Sequence, residues 1–281
     1  MAKPLAVASL DGQFLPLAEA HISPLDRGFL FADAVYEVIP VHGGTPLLLD
    51  AHVARLGRSL GAIDIGNPLN DEEWRNLIAE LIERNGGGTM AIYIQVSRGA
   101  DSGRDHRYSS DLSPTVFAMA TEHGKNEYAA GVTAITLPDQ RWDRCDIKST
   151  ALLPNILARQ KAAEAGALDA ILVDDGFVTE GAVSSVIVVE NNTLVRTPHG
   201  TEVLPGTTTD QVVAIACDAG YTCREERLTL ERLLAASEIW LTGATKGIAP
   251  VVRIDGRQIG DGRPGPVWSA VNELYEAWPD G

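Results

Sequence analysis

Only five of the 281 residues are lysine and three are cysteine, and no apolar run approaches the roughly 18 to 20 residues that cross a bilayer. Each shortage excludes something. Cys145, Cys217 and Cys223 include no C-x-x-C pair, so neither a disulfide framework nor a zinc site is expected, and all three read as small buried hydrophobes. The six histidines form no H-x-x-x-H pair, so no metal is expected. Positive charge is also short: 23 Lys+Arg against 38 Asp+Glu gives 23 − 38 = −15, a field that repels nucleic-acid phosphates and anionic membrane surfaces. Neither nucleic acid nor membrane is an expected partner. The start, Met1-Ala2-Lys3-Pro4, lacks the regions of a secretion signal, and the expected location is cytoplasmic.

What is present is a chain 45% hydrophobic and without repeats, long enough for about two domains at roughly 150 residues each. Asp11-Gly12 between Leu5–Leu10 and Phe14–Leu17 signals a hairpin. Ala34–Val41 reads as a strand, Asp50 as the cap of a helix carrying Val53, Leu56, Leu60 and Ile63, and Asn70-Asp71-Glu72-Glu73 as a capping box opening a helix that stops at Gly86-Gly87-Gly88. Strands at Met90–Val96 and Thr115–Thr121 complete an N-terminal α/β domain over 1–122. Polar residues 123–129 read as a linker and 130–281 as a second α/β domain. In that domain the spacing predicts strands at Gly131–Leu137, Ala170–Val173, Ser185–Glu190, Glu225–Leu228, Glu238–Thr242 and Val251–Ile254. Helices are expected over Pro154–Ala165, from a cap at Thr207 or Thr208 to Gly220, and after Thr229 and Pro264. The fold class is mixed α/β (α+β).

With so few lysines, one in an apolar context stands out. Lys148 lies just before Leu152-Leu153-Pro154, where partial burial favours a nucleophilic amine; the plainer alternative is an ion pair with Asp143 or Asp146. The glycine-then-threonine start of the helix after Leu204-Pro205-Gly206 is a natural phosphate site.

Six segments then occur in one order: Asp26-Arg27-Gly28 through Tyr36-Glu37-Val38, His52-Val53-Ala54-Arg55-Leu56, Cys145-Asp146-Ile147-Lys148-Ser149, Val178-Thr179-Glu180-Gly181, Leu204-Pro205-Gly206-Thr207-Thr208 and Thr242-Gly243-Ala244-Thr245. Together they resemble the pyridoxal-phosphate transaminases of fold type IV, the group that holds D-amino-acid transaminase, branched-chain aminotransferase and aminodeoxychorismate lyase. The resemblance implies a small N-terminal and a larger C-terminal domain with pyridoxal 5'-phosphate in the cleft between them, and a homodimer. It matches Lys148 to the lysine that holds the cofactor as an internal aldimine and shuttles the proton, and Glu180 to the acid on the pyridine nitrogen. Arg55, Thr207 and Thr208 match phosphate ligands and Leu204 the residue packed on the ring. At Gly243-Ala244-Thr245 the hydroxyl usual at position 244 is missing, which shifts that phosphate contact to the backbone or to Thr245. Ser185 stands where the family usually has Asn, and Lys246-Gly247 departs from its pattern.

Ser97-Arg98-Gly99 through Arg104-Asp105-His106 resembles the D-amino-acid transaminase pattern T-R-G-x-x-x-R-x-H with one extra residue. There, Arg104 and His106 with Tyr36 would trap the substrate α-carboxylate; the plainer reading is a solvated charged loop. The implied activity is transfer of the amino group of D-alanine or a similar D-amino acid to 2-oxoglutarate or pyruvate by a ping-pong mechanism. An (R)-selective amine transaminase is the alternative, followed by a branched-chain aminotransferase or aminodeoxychorismate lyase. From another class, a non-catalytic α/β protein that binds a phosphorylated ligand would have no use for Lys148.

Overall fold

The computed structural model describes residues 2–124 and 128–278, so part of the segment read as a linker, residues 125–127, lies outside the described residues. The described residues divide into two compact units. The first comprises 2–124 together with Ile147–Ala151, and the second 128–146 together with 152–278.

In the first unit, β1 (Pro4–Leu10), β2 (Gln13–Pro16), β3 (Ala34–His42), β4 (Thr45–Pro46), β5 (Met90–Ser97) and β6 (Thr115–Glu122) form an antiparallel sheet in the order β2-β1-β6-β5-β3-β4. Asp11 and Gly12 both take positive φ, 50° and 80°, which the two-residue hairpin requires. Helix α1 (Arg27–Phe31) precedes β3, while α2 (Leu49–Ala62) and α3 (Asp71–Arg84) lie between β4 and β5. The apolar faces of α2 and α3 close the core with Leu56, Leu60, Trp74, Ile78 and Leu81 against Ile39, Ile92 and Ile94. The capping box forms as its residues require: Asn70 Oδ1 accepts from Glu72 N and Glu73 N, and Glu73 accepts from Asn70 N. Asp50 does not cap α2. The helix starts at Leu49, behind Leu48 at φ 53°, which leaves Asp50 in the first turn, paired with Arg75 at 2.9 Å.

The second unit holds a ten-stranded mixed sheet of β7 (Val132–Pro138), β8 (Asp169–Asp174), β9 (Phe177–Gly181), β10 (Ser185–Glu190), β11 (Thr193–Arg196), β12 (Thr222–Glu225), β13 (Leu228–Thr229), β14 (Glu238–Gly243), β15 (Gly247–Ile254) and β16 (Arg257–Gln258). Its order is β12-β11-β10-β14-β15-β7-β8-β9-β13, with β16 on β15. Helices α4 (Leu153–Glu164), α5 (Thr207–Asp218), α6 (Leu230–Ala235) and α7 (Pro266–Ala277) cover it. Ala158 and Ala162 of α4 pack on Ala170 and Leu172; Val212 of α5 and Val271 of α7 pack on Trp240.

Three expectations are corrected here. Residues 225–228 are not one strand: they join the end of β12 to β13, and neighbouring Arg224, Glu225 and Glu226 form surface ion pairs. Helix α5 is capped by Gly206 in an extended conformation, with Thr207 and Thr208 already inside the first turn. Of the cysteines, Cys145 is buried, Cys223 is half-buried and Cys217 is exposed near the end of α5. The polar face of an amphipathic helix outranks the residue's average preference.

Candidate active site

Residues 147–151 group with the first unit because they pair with the start of β3. Tyr36 N donates to Lys148 O (2.9 Å), Thr150 N to Ala34 O (3.0 Å), and Lys148 N to Ser59 Oγ on α2 (3.2 Å). The backbone of Lys148 is thereby fixed on both sides. Its Nζ lies 4.1 Å from the centre of the Tyr36 ring and has no carboxylate partner among the described residues. The expected competitors are occupied elsewhere: Asp146 pairs with Arg144 at 3.0 Å, and Asp143 is exposed.

Alternation along β3 turns Val35, Glu37 and Ile39 inward, so an acid falls in the buried phase of the strand. His52 and Arg55, three residues apart on α2, meet it. Arg55 donates Nε to Glu37 Oε1 (2.7 Å) and Nη2 to Oε2 (2.8 Å), and His52 Nδ1 lies 2.7 Å from the same carboxylate. Burial alone would raise the pKa of Glu37, but Arg55 and the His52 hydrogen bond outweigh it and bring it down to about 2. Burial pushes His52 below its usual value, so at neutral pH it is uncharged and donates through Nδ1–H.

The loop after β5 carries Arg104 and His106, both exposed, which the Phe31 ring brings together: the Arg104 guanidinium lies 4.8 Å from its centre and the His106 ring 5.4 Å away. Neither side chain hydrogen-bonds Tyr36 or Lys148 among the described residues.

In the second unit Glu180 lies on β9, only 6% exposed, rather than in a solvated turn. Its Oε1 accepts from Arg141 Nη1, and its Oε2 from the backbone N of Leu204 (3.2 Å). Arg141 is itself held by Asp139 (2.7 Å), whose Oδ2 also accepts from Thr179 (2.7 Å). A buried carboxylate is thus charge-compensated and aimed from two sides. Glu180, Leu204, Gly206, Ser185 and Thr209 line a concavity open to solvent. Thr207 and Thr208 are buried at the start of α5, where first-turn N–H groups have no helical acceptor. A Cβ on Gly206 would come within 2.7 Å of both Ser185 Oγ and Thr209 Oγ1, so glycine is needed there for space. Thr209 Oγ1 bonds Thr242 Oγ1 (2.6 Å), tying this turn to β14. Thr245 is half-buried between β14 and β15, and the next residue, Lys246, turns to the fully buried Asp169 (3.0 Å). Burial lowers the pKa of Lys246, with Asp169 opposing.

Sequence reasoning missed Glu37, His52, Arg141 and Asp139. Glu37 carried a readable signal, a charge in the apolar phase of a strand. Arg141 carried none, because Arg144 three residues on looks alike and is a surface residue.

The profile of the amino-transferase class IV family matches residues 34–254. The chain is 39% identical to a D-alanine aminotransferase of Bacillus licheniformis, over 95% of this chain and 94% of that protein. It is 34% identical to a D-alanine aminotransferase of Staphylococcus haemolyticus, over 96% of each. Among solved structures, the PLP-bound form of a hypothetical aminotransferase from Mycobacterium tuberculosis superposes with a TM-score of 0.84 at 26% identity, covering 97% of this chain and 98% of that one.

Proposed function

The chain belongs to the class IV aminotransferases, and we propose that within them it is a pyridoxal-phosphate-dependent D-amino-acid transaminase that takes the amino group of D-alanine or a similar D-amino acid and delivers it to 2-oxoglutarate or pyruvate. The D-alanine aminotransferases it resembles over nearly its whole length support the substrate class. The observation that carries the chemistry is Lys148: a backbone-anchored primary amine that pairs with no carboxylate among the described residues, two residues from Asp146, which pairs with Arg144. An ion-paired lysine would be a poor nucleophile.

The residues present fit the cofactor. Lys148 would attach it covalently, and Arg55 with Thr207 and Thr208 at the α5 N-terminus would hold its phosphate, Thr245 adding a hydroxyl. Leu204 would pack on its ring and Glu180 would accept the ring N–H. Bound there, the group would supply an electron-withdrawing ring and hold the amino group between the two half-reactions. The rest is done by the chain. Lys148 Nζ moves the proton taken from the substrate Cα, Arg141 keeps a counter-charge on Glu180, and the Glu37–His52–Arg55 cluster fixes the direction of Arg55. Tyr36, Arg104 and His106 orient the α-carboxylate.

We further infer a cytoplasmic homodimer. No described helix is long and apolar enough to cross a membrane. Leu153 (66% exposed), Ile156 and Leu157 present one apolar face of α4, which supports self-association. The test is pyruvate formation from D-alanine and 2-oxoglutarate by the purified protein supplied with pyridoxal phosphate. D-alanine is expected to react and L-alanine not; equal rates with both, or none with either, would overturn the reading.

A further inference from the structure

Arg27 is 4% exposed in a helix of only five residues, and nothing in the reaction as described uses it. Its backbone and side chain both hold the loop that carries Arg104 and His106. At the base of that loop Arg27 N donates to Gly99 O (2.9 Å), next to Asp26, whose Oδ2 accepts from Ser97 (2.9 Å) and Thr115 (2.8 Å) at the two ends of the excursion. Near the tip its guanidinium donates Nη1 to Asp105 O (2.7 Å) and Arg107 O (3.4 Å), and Nη2 to His106 O (3.0 Å). Three consecutive carbonyls are therefore taken by one planar fork. Its Nε donates to Asp33 Oδ2 (2.9 Å), which also pairs with Arg98 (2.8 Å).

The packing has the same focus. The Phe31 ring lies 4.8 Å from the guanidinium carbon of Arg27 and 4.8 Å from that of Arg104, and the Tyr108 ring lies 3.9 Å from that of Arg98. The two side chains that the loop presents, Arg104 and His106, thus stand on a base of two further arginines, with Asp33 the acid between those two. Burial would raise the pKa of Asp33, but Arg98 and Arg27 outweigh it and hold it below the usual carboxylate range. An ammonium could keep the Asp33 pair but could not span three carbonyls in one plane.

We propose that Arg27 is the positioning residue for α-carboxylate recognition: it fixes the backbone at 105–107 and thereby the directions of Arg104 and His106. The inference rests on the reading that those two residues bind the substrate carboxylate. An error of about 1 Å in such a group is enough to cost binding.

The test uses the holoenzyme with Arg27→Lys, Arg104→Ala and the double variant, and reads D-alanine kinetics together with hydrogen exchange of the peptide over 101–112. Arg27→Lys is expected to raise KM for D-alanine about tenfold with kcat within about twofold, and to speed exchange in the loop. In the Arg104→Ala background the same change is expected to raise KM clearly less than in the parent, because one of the two groups it positions is gone and only His106 remains. A further rise of the same size in the double variant, or unchanged exchange and KM in Arg27→Lys while Arg104→Ala is impaired, would overturn the inference alone. A normal KM in Arg104→Ala would remove the reading of the loop as the carboxylate site, and the inference with it. If Arg27→Lys does not fold, Phe31→Leu tests the same support from the half-buried side of the loop, with the same non-additivity expected.

Discussion

Replacing Glu37 by glutamine keeps the side chain's shape and removes one charge from a buried cluster of three. Arg55 would then keep a guanidinium, 5% exposed, facing an amide whose NH₂ can only donate toward it. The magnitude follows from the carboxylate's own titration. A fall from 4.5 to about 2 on folding corresponds to about 3 kcal/mol at roughly 1.4 kcal/mol per tenfold, the same range as the 3–5 kcal/mol typical of breaking a buried pair from one side. The sign is fixed: because the folded value lies below the unfolded one, the contribution is complete above pH 4.5 and is lost as pH falls through about 2. His52 acts in the same direction at higher pH, since its lowered pKa costs stability as pH falls below 6.5. Urea denaturation of Glu37→Gln and the parent protein, with equal cofactor loading, reads the difference. A loss of about 3 kcal/mol at pH 7 that narrows below pH 4.5 is expected. A variant within about 0.5 kcal/mol of the parent at pH 7 would refute the reasoning, because surface substitutions have that size.

Lys148→Ala should abolish turnover and the covalent cofactor adduct expected on the parent after borohydride reduction; an adduct on another lysine peptide would reassign the amine. Gly206→Ala, whose Cβ would stand 2.7 Å from Ser185 Oγ and Thr209 Oγ1, should weaken cofactor retention by about tenfold with the fold intact. Equilibrium dialysis with pyridoxal phosphate checks it. Lys246→Met leaves Asp169, fully buried, without its cation and should cost about 3 kcal/mol in urea denaturation. A neutral result would show that Ser184 and the Ala170 amide suffice for that carboxylate.

Local rules made much of the first unit legible. The Asp11-Gly12 turn and the Asn70 capping box are decided within four residues, and both form as their residue types require. What escaped depends on distance in sequence. Strand β9, with Glu180, is five residues long, and its burial comes from neighbours β8 and β13 rather than from its own pattern. Glu180 was named through family resemblance; its partner Arg141, 39 residues upstream, was not, since no period connects them. The placement of Lys148 beside Tyr36 likewise arises from backbone pairing between segments 112 residues apart, which only the folded chain reveals. Asp50 failed as a cap because the helix start was set by Leu48 in the left-handed region, a backbone choice that leucine does not advertise.

The central claim is that Lys148 and Glu180 serve a cofactor whose amino donor is a D-amino acid. Single-turnover reaction of the loaded protein with D-alanine, L-leucine and (R)-1-phenylethylamine, followed by the absorption of the bound cofactor, tests it most directly. The account predicts conversion with D-alanine far faster than with the other two. Faster conversion with the carboxylate-free amine or with L-leucine, or no cofactor absorption after loading with pyridoxal phosphate, would contradict it.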